Sequence, residues 1–138
     1  MSSLGLRHNR LALSSLCNDA APSRWVTRER PKIDRIACPW LVRRFIDPDA
    51  KFVFVRSDQV LEFAKTNNAI AFDIPGAPFS HVGDRCSFDA FVEYFEIDDD
   101  GVAALAPIIR GADTDRQEIA PQAAGLHALS LGLALTHP

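Results

Sequence analysis

Apolar positions along the chain fall into short runs separated by proline, glycine and acidic residues. Residues 51–56 (K-F-V-F-V-R) are β-branched and aromatic and predict a strand; residues 69–73 predict a second, entered through the Asn67-Asn68 turn. Residues 32–37 read as a short strand or extended entry, stopped by Cys38-Pro39. Pro39 suits the first position of a helix running to about Ile46. Further helices are predicted from Ser57 or Asp58 through Lys65, over 88–95 starting at Cys86 or Ser87, and over 101–109 after Asp98-Asp99-Asp100. A last helix is predicted over 121–135, with Leu126, Leu129 and Leu133 on one face. Short strands alternating with helices predict an α/β or α+β fold, a small sheet packed with about five helices in a single domain.

The 138 residues, 47% hydrophobic and 24% charged, suffice for one modest core without a disulfide or metal staple. The apolar runs are too short for a membrane span. Residues 1–22 carry Arg7 and Arg10 before a short apolar stretch, too weak for a secretory signal, so residues 1–30 read as a flexible extension. The folded domain is then 31–138, beginning near Trp25 or Lys32. Three cysteines, Cys17, Cys38 and Cys86, are an odd count that does not suit a secreted disulfide scaffold, and a reducing cytoplasm is the expected compartment.

Charge is uneven. Residues 1–35 hold seven Lys/Arg against three acids, whereas 36–138 hold eight against fifteen. The first segment could meet an anion, but no aromatic or helical recognition pattern accompanies it. The acidic remainder argues against a nucleic-acid platform, so direct DNA binding is not expected of this chain. Phosphate-binding glycine loops, nucleophile elbows and paired CxxC motifs do not occur, which sets aside the common nucleotide and acyl-transfer classes.

Three polar stretches carry candidate chemistry. In D-R-I-A-C-P-W, a helix starting at Pro39 would place Cys38 at its N-cap, where the helix end favours a thiolate. Asp34 and Arg35 lie alongside; the alternative is a buried cysteine acting as a small hydrophobe. In H-V-G-D-R-C, His81 and Cys86 are donors for a borderline-soft metal, while Ser87 and Asp89 could serve only as caps. In R-G-A-D-T-D-R, Arg110, Asp113, Asp115 and Arg116 surround a glycine that permits close backbone approach. Asp113 could complete a metal site with His81 and Cys86, with Asp34 as a fourth ligand, taking a divalent transition metal such as zinc, iron or manganese. The arginines could instead hold an oxyanion with bidentate contacts, or the stretch could be an ordinary surface loop. His127, on an apolar helix, reads as structural.

The motifs K-I-D-R-I-A-C-P-W-L-V-R-R-F-I-D-P, A-F-D-I-P-G, H-V-G-D-R-C-S-F-D-A-F, R-G-A-D-T-D-R and A-P-Q-A-A-G-L follow one another in this order. From about Lys32 to Leu133 the chain resembles the C-terminal domain of the ChrB chromate-resistance proteins. From the clustering of the residues the expected partner is chromate or another small oxyanion, with Asp34, Arg35, Cys38, Arg110, Asp115 and Arg116 as ligand-binding or redox groups; the resemblance implies an association with chromate resistance. It also implies an accessory part in regulating a chromate efflux transporter. The family's further N-terminal domain and its continuation after the last helix are expected to be missing, leaving the domain shortened at its C-terminal end. A metal-dependent enzyme of unspecified reaction is the competing expectation.

Overall fold

The computed structural model describes residues 23–30, 32–114 and 116–136. In chain order they form β1 (Arg24–Arg28), α1 (Ile33–Phe45), β2 (Lys51–Val55), α2 (Val60–Asn67), β3 (Ile70–Ala71), α3 (Ser87–Tyr94), α4 (Asp100–Asp113) and α5 (Ala123–Thr136). Single 3-10 turns lie at Ser57–Gln59 and Gln117–Ile119. The strands make a parallel sheet in the order β2-β1-β3. The described residues form an α+β domain with a small sheet and five helices, as the patterning predicts.

The central strand is the one the patterning misses. β1 falls within residues assigned to the flexible extension, so that boundary is corrected: residues 24–28 belong to the domain, while 1–22 lie outside the described residues. Trp25, Val26 and Thr27 are all fully buried. A strand covered on both faces shows no apolar–polar alternation, and five residues are too few for a continuous run to stand out. Successive side chains point to opposite faces, and the two cores follow from that. Trp25 joins the large cluster with Leu41, Phe45, Phe72, Phe79, Phe88, Phe91 and Phe95. Val26 joins Val60, Ala71 and Ile74 on the other face. Ring stacking is closest between Phe79 and Phe91, with centroids 4.3 Å apart.

α1 corrects two expectations. No strand forms at 32–37; the helix begins at Ile33 and carries Pro39 in its interior. Proline donates nothing to the Arg35 carbonyl one turn earlier, but burial of Ile33, Asp34, Cys38, Leu41, Val42 and Phe45 along one side outweighs that loss. α4, capped by Asp99 accepting from the Val102 amide at 2.9 Å, continues past Ile109 to Asp113. The stretch 110–113 is therefore helical, not a loop. On α5 the expected common face divides: Leu126 packs on the core, whereas Leu129 and Leu133 are exposed.

Candidate functional site

Side chains from five segments converge beyond the C-terminal ends of β1 and β3, the edge where open parallel sheets bind ligands. Arg28 closes β1, and Asp34 and Arg35 lie in the first turn of α1. Asp73 follows β3 with φ of 53°, a left-handed conformation that a non-glycine residue adopts at a cost. His81 precedes the tight Val82–Arg85 turn, and Asp113 ends α4. In the first turn of α3, Ser87 and Phe88 point their free amides at the carboxylate of Asp34, at 2.7 and 3.1 Å. The Asp34 amide donates in turn to Asp113 at 3.2 Å. Two helix starts are thus capped by carboxylates from elsewhere in the chain.

The centre of the cluster is His81 Nε2. It lies 2.8 Å from Asp113 Oδ2, 3.2 Å from Asp73 Oδ1 and 3.3 Å from Asp34 Oδ2. Asp73 also accepts from Ser87 Oγ at 2.8 Å and pairs with Arg35 at 3.1 Å. Hydrogen bonds that His81 donates to Asp113, Asp34 and Asp73 push the imidazole up to about 12, so the ring is an imidazolium at neutral pH. Burial raises Asp34 to about 6, with Asp113 and Asp73 adding to the rise against the hydrogen bonds from His81 and Ser87. Burial acts in the same sense on Asp73, but the bonds from His81 and Ser87 and the charge of Arg35 outweigh it and hold that carboxyl below its ordinary value.

Beside the cluster, Arg28, Asp73, Ile74, Pro75, Ser80 and His81 line a cavity of about 290 Å³. The Nε groups of Arg28 and Arg35 are sealed from solvent and have no hydrogen-bond partner.

The structure rearranges the sequence-based candidates. It brings together Asp34, Arg35, His81 and Asp113; the buried Cys38 thiol donates to Asp34 Oδ1 at 3.9 Å, but neither thiol joins the donors around His81. Cys38 sits within α1, not at its N-cap, so the helix-end argument for a thiolate falls. It is fully buried, and burial together with the charges of Asp34 and Asp73 raises its pKa well above the ordinary thiol range. Cys86 does hold the N-cap of α3, but its thiol donates to Asp89 at 3.3 Å; burial and the charge of Asp34 keep it protonated. Of the expected metal donors, His81 and Asp113 lie with Asp34, the expected fourth ligand, in a group whose donor atoms are all within 4.8 Å of one another, and Cys86 is not in that group. Arg110 is engaged by Asp89 through two bonds of 2.8 and 2.6 Å. Arg116 pairs with Glu118 and Asp84 at the surface. Neither arginine is free to clamp an oxyanion, and Asp115 lies outside the described residues. His127 reaches the Ala112 carbonyl at 3.2 Å, a structural contact between α5 and α4.

Both described cysteines are expected to be inert in the folded protein. Mass-mapped alkylation near neutral pH should modify Cys38 and Cys86 at least about a hundredfold more slowly in the native state than in denaturant. Rapid native labelling of either would restore the thiolate reading.

Two site residues are missing from the sequence-based set, Arg28 and Asp73. Asp73 was visible in A-F-D-I-P-G, directly after a predicted strand and before a Pro-Gly loop. Arg28 had no such signal once its strand went unseen.

Fold and site define a small α+β domain with a carboxylate–imidazole centre at the C-terminal edge of a parallel sheet. Among the described residues no helix is long and apolar enough to cross a membrane. Residues 25–138 match the family described as ChrB, C-terminal domain. The chain is also similar to Protein ChrB of Cupriavidus metallidurans, 38% identical over 109 residues, which cover 78% of this chain and 32% of that protein. The chain therefore belongs to the ChrB C-terminal domain family, and it spans about a third of the length of that curated relative. No solved structure matches it.

Proposed function

We propose that this domain serves chromate resistance by holding a small oxyanion in the cavity walled by Arg28 and His81. Membership of the ChrB family supports the biological setting. The observation that carries the reading is Arg28, a half-buried guanidinium at the end of the central strand whose sealed Nε finds no partner. Arg28 also lines the cavity, so an anion held there would meet the charge of its guanidinium without needing the sealed Nε.

The rest of the wall has the right sign. Asp73 is the one carboxylate among the lining residues, and Arg35 neutralises it from behind. That leaves Arg28 as the positive charge offered to an anion, since His81, which also lines the cavity, turns Nε2 to Asp34, Asp73 and Asp113. Ser80 is a further polar lining residue, and Ile74 and Pro75 close the side. The planar guanidinium offers the paired N–H geometry that tetrahedral oxyanions accept. With the described thiols buried and protonated, the anion is bound without being reduced.

Calorimetric titration with chromate, molybdate and sulfate tests this. A tetrahedral dianion should bind saturably and more weakly at high salt, and Arg28→Gln should weaken it at least about tenfold, one charge-assisted contact. Failure of every dianion to bind, or equal affinity in a folded Arg28→Gln variant, would sink the reading.

A further inference from the structure

We propose that Asp34, His81 and Asp113, with Asp73 beside them, bind a divalent first-row transition metal through oxygen and imidazole donors and without a thiolate. This goes beyond the oxyanion reading, because it concerns a cation held by carboxylates and an imidazole nitrogen, with Arg28 taking no part.

The first argument is spatial. One imidazole nitrogen has three carboxylate oxygens within 3.3 Å. It carries at most one hydrogen and one donor direction, so a single N–H cannot serve all three acceptors well. Donors around a shared ion at bonds of roughly 2.0–2.2 Å lie about 3 Å apart along the edges of the coordination shell. The contacts of 2.8, 3.2 and 3.3 Å match that spacing.

The second argument is charge. Three carboxylates face His81 and Arg35, which leaves one negative charge uncompensated even with the imidazole protonated. A dication bound by a neutral imidazole balances the same set. It also relieves the mutual repulsion of Asp34 and Asp113, whose like charges otherwise oppose each other in a buried setting.

The third argument is support. Asp34 is wholly buried and is held by the amides of Ser87 and Phe88, and Asp113 by the amide of Asp34. Such bonds fix ligand carboxylates before the ion arrives. His81 is the more exposed member and also lines the cavity, so the ion would have an accessible side there. Carboxylate-rich donors with one imidazole suit manganese, iron(II) or zinc, and the thiol of Cys86, bonded to Asp89, gives no reason for a softer ion.

The full chain, stripped with chelator and freed of oxyanions, is titrated calorimetrically with manganese(II) and with zinc(II), and manganese binding is followed in parallel by electron paramagnetic resonance. About one equivalent of ion should bind, with the free-ion manganese signal lost accordingly. His81→Ala and Asp113→Asn, each checked for folding by circular dichroism, should weaken binding by about a hundredfold or more. Cys86→Ser should stay within about threefold of the parent. Absence of saturable binding of both ions in the parent overturns the proposal. So does Cys86→Ser losing the ion while His81→Ala keeps it. Because no oxyanion is present, this failure is separate from that of the Arg28 cavity, which is read with chromate.

Discussion

Asp34→Ala is expected to lower stability by about 3 kcal/mol and the melting temperature by roughly 10 °C. The side chain is fully buried where α1 meets the start of α3. Its two oxygens satisfy the amides of Ser87 and Phe88, and both of those residues are fully buried as well. Removing the carboxylate leaves two donors with no route to water, each costing about 1–3 kcal/mol, and opens a small void. Part of that cost is offset, because the carboxylate is itself held against burial and against Asp113 and Asp73, which is why its pKa rises to about 6. The donors still dominate: a charge can be relieved by protonation, whereas a stranded amide cannot. Thermal denaturation of the two proteins under one buffer measures the difference. Equal melting temperatures would mean that α3 is not capped from α1.

Gly111→Ala carries the second large effect, and its sign is opposite to the usual one. In a helix interior this exchange ordinarily gains about 0.5–1 kcal/mol. Here an added Cβ would stand 2.8 Å from the Cβ of Ala123 and 2.9 Å from the carbonyl oxygen of Arg116. Neither atom is the tip of a flexible side chain, so α4 and the segment leading into α5 must move apart. Overpacking of this kind costs about 1–3 kcal/mol, which exceeds the propensity gain, and a net loss of about 2 kcal/mol follows. Asp113 lies two residues further along the same helix, so ligand binding at the cluster should weaken alongside the melting temperature. A stabilised Gly111→Ala protein would show that α4 and α5 have room between them.

How far the sequence discloses this molecule depends on what each element is buried against. β2, α2, α3 and the start of α4 announce themselves through β-branched content, caps and turn residues, which are local signals. β1 does not, because a short strand buried on both faces carries no alternation. The start of α1 is not legible because Pro39 resembles a helix start, and only tertiary packing of the preceding turn shows that the helix already runs through it. The same ambiguity accounts for Cys38, whose expected reactivity depends wholly on being at a helix end. Gly111 was legible: the close approach anticipated from its place between Arg110 and Asp113 is present, though within a helix and not in a loop. Asp34, His81 and Asp113 were legible as types of residue able to bind, while their convergence, and the part of Asp73, depend on how α1, β3 and α4 are arranged in space.

The burial of Cys38 and Cys86 has a consequence for durability. A protein that meets a strongly oxidising anion through exposed thiols is spent in the encounter, one molecule for each event, and must be made again. With both described thiols enclosed and carrying their protons, and with arginine, imidazole and carboxylate at the cavity, the surface offered to such an anion holds nothing readily oxidised. If the domain holds an oxyanion as proposed, it would take up and release that ligand repeatedly, and its occupancy would follow the prevailing concentration and not the accumulated dose.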